Sequence, residues 1–464
     1  MLRKSIVFIM LFALTAAWLQ PMYTIKADAR VDGSNRTLAS SYTSFAIQPD
    51  GNLWGWGANN NGQLGDGTST DRHIPIHIKD DVIAIESNRS NTLAITSDNT
   101  LWIWGSHSYQ QPLEEGIIDR YVPSRLLDDV VSVASSNNSV MVIRTDGSLW
   151  SAGSNLNGQL GTNEDNFSRQ YFEKVMDDAV AVTMGRNHVL VIKNDGSLWA
   201  WGSNVAGQLG DGTNINRYEP VHILDDVVHI SACDSFSTAI TTSNYLYAWG
   251  RGISLQTLTG DSDVPRNSPS PMHIFTIEEE DIPFISVGGN GSFLLTTDPD
   301  GSLLGIGSNN RGQLGDGTGR PGGAEIKDNV LDFVAGSDRT VLAITEDGSL
   351  WAWGQNDRGT VGDNSTTDRP MPVRIMDGFM SPGPPQILAE LSDNEGNGNT
   401  NDLIHEDPDG ESLHTERPGQ GYDNNNESEG LNLESVLLVA GIAFIAILSI
   451  AILIVFYLII KQRR

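Results

Sequence analysis

The side chains able to do chemistry in this sequence are numerous but scattered. Nine histidines could serve as bases or metal ligands, yet they fall in different phases of the chain. No set of nucleophile, base and orienting group stands out. His188, in Gly185-Arg186-Asn187-His188, directly precedes an alternating apolar run and is expected to be a hydrogen-bonded structural histidine. The stretch Asp298-Pro299-Asp300-Gly301-Ser302 has the opening of a calcium loop but lacks the later bidentate acid. Cys233 is the only cysteine, so no intramolecular disulfide can form. It ends the alternating run Val228-His229-Ile230-Ser231-Ala232-Cys233, where a buried, unreactive thiol is expected. No catalytic, cofactor-binding or metal residue is assigned, and the expectation is a protein that is not an enzyme.

One chemical feature does recur. Arg72, Arg120, Arg169, Arg217, Arg266, Arg320 and Arg369 each lie 13–16 residues beyond a Trp-Gly or equivalent glycine. In a closed ring they would form an equivalent set that could hold an anion. The alternative, which we adopt, is that each pins its own loop, for example through Asp66, Asp211 or Asp316, because a guanidinium fork matches a carboxylate.

The spacing that carries these arginines organises the chain. The glycine ending each Trp-Gly element falls at Gly57, Gly105, Gly153, Gly202, Gly250, Gly307 and Gly354, in steps of 48, 48, 49, 48, 57 and 47 residues. Repetition at this period means stacked or radial units. In each unit an alternating strand such as Asn187 to Ile192 meets a turn, usually Asp-Gly: Asp50-Gly51, Asp146-Gly147, Asp195-Gly196, Asp300-Gly301 and Asp347-Gly348. Asp-Gly between two apolar runs marks a hairpin, because glycine accepts positive φ. The returning strand, Leu198-Trp199-Ala200-Trp201-Gly202, is apolar on both faces and should be buried between neighbouring sheets. A Gly-Gln-Leu-Gly element follows, starting at Gly62, Gly158, Gly207 and Gly312, and then short strands such as Val221 to Ile223 and Val227 to Ile230. About four short strands per unit, repeated seven times, predict an all-β, seven-bladed β-propeller over residues 30–379. Which strand closes the ring cannot be read from this pattern. The second unit (Ser106 to Pro112) and the fifth (Arg251 to Pro271) lack Gly-Gln-Leu-Gly, and the sixth carries Leu304 and Ile306 in place of tryptophans.

The flanks predict a location. Residues 1–29 read as a signal peptide: Arg3 and Lys4, an apolar run from Ile6 to Leu19, and Ala27-Asp28-Ala29 as a cleavage site. Residues 380–433 are rich in Asp, Glu, Asn, Gly and Pro and read as a disordered acidic linker. Residues 434–460 read as a transmembrane helix. The uncharged stretch 436–460, at about 1.5 Å per residue, is long enough for a hydrocarbon core of about 30 Å. The basic tail 461–464 is then cytoplasmic and the propeller extracellular. The net charge of -29 argues against nucleic acid, which needs basic patches.

The units resemble the regulator-of-chromosome-condensation repeat family, of a bacterial, secreted and membrane-anchored type. The resemblance rests on Leu53-Trp54-Gly55-Trp56-Gly57 with Gly62-Gln63-Leu64-Gly65-Asp66-Gly67-Thr68, and on runs 149–161, 198–213, 303–318 and 350–354. It implies the same seven-bladed propeller. The founder of the family exchanges guanine nucleotide on a small GTPase and binds chromatin, through a partner-specific insertion with no counterpart here. A secreted bacterial propeller of this type inhibits a β-lactamase with one face, which implies protein binding through loops.

The expected function is therefore a membrane-anchored extracellular module that binds an unidentified protein. A surface binder of cell-wall or other glycans is the second reading, and a guanine-nucleotide exchange factor the third. The recognition residues are expected where the repeat is broken or variable: Asn59, Asn60 and Asn61 in the first loop, His107 and Tyr109 in the second, Asn155 and Leu156 in the third, Arg251 in the fifth, Arg311 in the sixth, and Asp357 and Arg358 in the last.

Overall fold

The computed structural model describes residues 36–106, 121–136, 138–163, 168–252, 267–276, 285–289, 291–297 and 301–379, with Leu258, Asp263 and Pro265. The signal peptide, linker, membrane helix and basic tail read from the sequence lie outside them. Among the described residues no helix is long and apolar enough to cross a membrane.

The chain forms seven four-stranded antiparallel sheets, with strand order following sequence order in each. The blades span 38–79, 82–127, 130–176, 179–224, 227–276, 285–327 and 330–376. The expected seven-bladed propeller is thus observed. Each blade begins one strand earlier than the sequence repeat suggested, with a strand that lines the central channel; in blade 1 this is Leu38–Ser40. No strand is exchanged to close the ring, because blade 1 and blade 7 are each contiguous in sequence. Closure comes from packing. Leu38, Ala46 and Trp56 of blade 1 share one core cluster with Leu342, Leu350 and Val361 of blade 7.

The other clusters also straddle blade boundaries. Met141 and Leu149 of blade 3 pack with Val182, Val189 and Trp201 of blade 4, and Leu190 and Leu198 of blade 4 pack with Ile230 and Trp249 of blade 5. The second strand, as in His188–Lys193, is almost wholly buried because both of its faces meet a neighbouring sheet. A single repeat has no interior of its own, so stability resides between repeats. The third strand is less symmetric than expected. In Leu198–Gly202 the second tryptophan is buried while Trp199 stays half-buried, edge-on to His222 with ring centroids 5.6 Å apart.

The Asp-Gly turns form as expected. Gly196 sits at φ +80° and the Asp195 carboxylate accepts the Ser197 amide at 3.0 Å. The links between blades also need positive φ, which Asp81, Asp129, Asp178, Asp226 and Asn329 supply at 57–63°. Asp and Asn are the non-glycine residues that tolerate this region best.

Five of the seven boundaries share a latch. The loop carrying Gly-Gln-Leu-Gly, or its variant Gly359-Thr360-Val361-Gly362 in blade 7, reaches across to the next blade, where the buried tryptophan donates its indole N–H to a loop carbonyl. Trp104 bonds Gln63 at 2.8 Å, Trp201 bonds Gln159 at 3.0 Å, and Trp249 bonds Gln208 at 2.9 Å. Trp353 bonds Gln313 at 3.1 Å, and Trp56 bonds Thr360 at 2.8 Å across the ring closure. The same loops donate a backbone N–H to the next blade's outer strand, as from Asn163 to Tyr218 at 2.9 Å and from Asn364 to His73 at 2.9 Å. The element's last glycine lies flat on the indole: a Cβ on Gly161 would stand 2.7 Å from the ring nitrogen of Trp201. This explains the pattern of departures. Blades 2 and 5 lack the element, and the blades that follow them carry Ala152 and Ile306 where the indole would be. Loop and tryptophan are two halves of one contact and are lost together.

Candidate functional site

Antiparallel strands place every loop on one of two rims. The Asp-Gly turns and the Asp-Asp links lie on one rim and make it acidic. The turns between first and second strands, and the long loops after Trp-Gly, lie on the other, which we call the loop face. The nine candidate recognition residues that are described all belong to loops of that face.

The eleven candidates separate into four groups. Asn59 and Asn155 are corrected: both are fully buried. Asn59 accepts the Leu64 amide at 2.9 Å and donates to Asp66 at 2.9 Å, and Asn155 accepts the Leu160 amide at 2.9 Å. These asparagines staple the loop from inside and cannot meet a partner. His107 and Tyr109 lie outside the described residues. Asn60, Leu156, Arg251, Arg311, Asp357 and Arg358 are exposed. Arg311 reaches Asp368 at 3.0 Å and Arg358 reaches Asp71 of blade 1 at 3.3 Å, so these two tie one loop to the next. Asn61 is half-buried, with its amide on the Gln63 side chain at 2.8 Å.

The recurrent arginines pin loops rather than line a ring. Arg72 forks onto Asp66 at 2.7 and 2.6 Å, and Arg217 onto Asp211 at the same distances. Arg369 pairs with Asp363 in the same way. Arg169 instead holds Glu173 at 2.6 Å. The expected link between Arg320 and Asp316 is not formed among the described residues; Asn309 and Thr318 satisfy Asp316. Arg120 and Arg266 lie outside the described residues. Burial opposes ionisation of Asp211, but hydrogen bonds from Thr213 and Arg217 outweigh it and hold the carboxyl below its usual range; Asp66 behaves alike.

Two buried titratable groups stand near the loop face. Burial lowers His188 to about 4, and its Nε2 lies 2.9 Å from the Ser237 hydroxyl, as expected of a structural histidine. Burial raises Asp338 to about 7, against the opposing hydrogen bonds from Thr340. The hydroxyls beside them are themselves buried, and Ser237 spends its proton on the Gln208 carbonyl at 2.8 Å; no group of three metal-ligating residues occurs among the described residues.

The feature missed in the sequence is apolar. Leu156, Val205 and Ile215 are 66%, 72% and 62% exposed on the loop face of blades 3 and 4. Asn214 donates to the Val205 carbonyl at 3.5 Å, which brings Ile215 beside Val205. The loop of Leu156 crosses onto blade 4, where Asn163 bonds Tyr218. The three therefore stand on neighbouring loops of one face. At the same loop position blades 1, 6 and 7 carry Asn60, Asn310 and Asp357. Aligning Asn59-Asn60-Asn61-Gly62 with Asn204-Val205-Ala206-Gly207 would have exposed the change.

Residues 50–95, 195–240 and 347–381 match the regulator of chromosome condensation (RCC1) repeat model, and 130–159, 179–208 and 330–360 match a second model of that repeat. The matched segments carry RCC1 repeats. Solved structures with the same fold include human WBSCR16, at 20% identity and TM-score 0.60, covering 70% of this chain and 94% of that one. Prp20p of Saccharomyces cerevisiae, described with its binding to Gsp1p and histones, is similar at 19% identity and TM-score 0.60, covering 72% and 87%. Yeast RCC1 (Prp20) bound to Kap60 is similar at 18% identity and TM-score 0.59, covering 75% and 86%. At these identities the likeness is one of fold. No curated protein matches the chain by sequence.

Proposed function

We propose that this RCC1-repeat propeller is a non-enzymatic interaction module that binds a protein through its loop face. It is held outside the cell by the segment 434–460 and carried off the membrane by the acidic linker. The carrying observation is the exposure of Leu156, Val205 and Ile215 on adjacent blades. Exposed aliphatic side chains on adjacent blades, two of them at a loop position that is Asn or Asp in blades 1, 6 and 7, suit a protein partner. Glycan binders use grouped exposed aromatics, whereas the described tryptophans are buried or half-buried and the exposed Tyr121, Tyr171 and Tyr245 belong to three different blades. Precedent agrees, since the yeast propeller of this fold binds proteins.

Affinity capture with the intact chain, followed by identification of what is retained, tests this reading. Retention of a specific polypeptide is expected, and retention of glycan alone would contradict it. The extracellular placement is tested by protease treatment of intact cells. Loss of the propeller is expected, and full protection would move it to the cytosol, where an exchange factor acting on a GTPase becomes the reading to pursue.

A further inference from the structure

The first strands of all seven blades enclose a central channel of 440 Å³. That volume is in the range of small-molecule sites. Its lining is mostly polar. Arg89 and Arg186, on blades 2 and 4, stand at the loop-face mouth, and Ala232, Val287 and Ala335, from blades 5, 6 and 7, supply apolar surface across the channel.

Arg89 is held without being neutralised. Its guanidinium lies over the Tyr42 ring, 4.7 Å from the centroid, and no carboxylate pairs with it among the described residues. Stacking fixes the guanidinium plane and leaves its N–H edges for an acceptor. Arg186 has a partner, Asp234, but at 3.9 Å and with the arginine side chain 67% exposed. The loop-pinning arginines 72 and 217, by contrast, are forked onto carboxylates at 2.7 Å or less. Deeper in the lining, the hydroxyls of Ser40 and Ser87 are buried and lack a partner among the described residues. Buried polar atoms without partners mark a place completed by water or a ligand.

We propose that the loop-face mouth of the channel binds a small monocarboxylate, with the anionic head on the open edge of Arg89, Arg186 adding its positive charge across the channel, and a short apolar tail on the lining that includes Ala232, Val287 and Ala335. The lining sets the charge. Arg36, Arg89 and Arg186 stand against Glu86 and Asp234, an excess of one positive charge, which suits a monoanion better than a phosphate dianion. A single basic mouth in a chain of net charge -29 also concentrates anions locally while the rest of the surface repels them. The carboxylate can belong to a free acid or to the C-terminus of a peptide. This site is separate from the loops of Leu156, Val205 and Ile215 and stands whether or not those loops bind protein.

The test is ligand-observed saturation-transfer NMR and calorimetry on the full chain. The probes are hexanoate, hexanol, inorganic phosphate, and a short peptide ending in valine with either a free or an amidated C-terminus. Hexanoate or the free-acid peptide should bind, and which of them does tells the two sources apart. Hexanol, phosphate and the amide should bind at least tenfold more weakly. The double variant R89Q/R186Q, with an unchanged thermal midpoint, should lose at least tenfold in affinity. Should that variant unfold, Arg186→Gln alone provides the second arm, since that side chain is 67% exposed and its loss should still weaken binding at least threefold. Failure of both acids to bind, phosphate binding as tightly as hexanoate, or full affinity in the variants would overturn the proposal.

Discussion

The latch between blades makes a quantitative prediction. Replacing Trp201 or Trp249 by phenylalanine removes the same ring atoms and the same indole N–H, and both tryptophans are fully buried. The acceptors differ. In the described contacts the Gln159 carbonyl has only the Trp201 indole, at 3.0 Å. The Gln208 carbonyl has the Trp249 indole at 2.9 Å and also the Ser237 hydroxyl at 2.8 Å. Trp249→Phe therefore forfeits one hydrogen bond, a net loss of about 1 kcal/mol beyond the packing change. Trp201→Phe leaves a buried carbonyl with no donor, which costs about 1–3 kcal/mol. The packing loss is common to both and cancels in the comparison. Trp201→Phe should be the more destabilising, by about 1 kcal/mol, or roughly fivefold in the unfolding equilibrium. Equilibrium urea unfolding of the two variants, with midpoints compared at matched slopes, measures it. Equal midpoints, or a lower one for Trp249→Phe, would refute the latch as the source of cohesion between blades.

Further outcomes follow from the buried titratable groups and the pinned loops. His188 is held neutral, with its folded value depressed to about 4. Its contribution is present above pH 6.5 and is lost as the pH falls from there toward 4, a loss of about 3 kcal/mol that His188→Gln should abolish in urea titrations across that range. Asp338 is raised to about 7, so its effect has the opposite sign. Its contribution is present below pH 4 and lost as the pH rises toward 7, and Asp338→Asn should gain on the parent as the pH is raised through that window. Arg217→Ala should cost about 1 kcal/mol, since the guanidinium is about a third exposed. Its main effect should be faster amide exchange in residues 203–216, seen by mass spectrometry. Protection unchanged from the parent would show that the fork does not hold that loop.

The sequence made the architecture readable because most blades repeat the Asp-Gly turn, the tryptophans and the Gly-Gln-Leu-Gly element. Asp-Gly turns and alternating strands are local signals, and local signals survive without knowledge of the neighbours. The side on which a blade begins is not local. The first strand, Leu38–Ser40 in blade 1, differs from the rest of the repeat only by packing against the channel, so its place in the preceding or following sheet was not visible. The latch is the same kind of fact. Ala152 follows the missing element of the second unit, and Ile306 that of the fifth. Their pairing becomes meaningful only once blades are known to be neighbours. Variability misled at Asn59 and Asn155, because asparagine suits both an exposed loop and a buried staple. Val205 and Ile215 escaped notice because an exposed aliphatic residue in one loop looks ordinary until the other loops are seen to be polar at that place.

The central claim, that the loop face of blades 3 and 4 binds a protein, is tested most directly by comparing capture with two variants of the full chain. Leu156→Asp/Val205→Asp charges two of the exposed aliphatic positions. Asp177→Lys/Asp225→Lys changes the acidic rim, where both side chains are exposed. Specific polypeptides held by the parent should be lost from the first variant, at an unchanged thermal midpoint, and kept by the second. Retention by the first variant together with loss from the second would place the binding surface on the opposite rim and contradict the account.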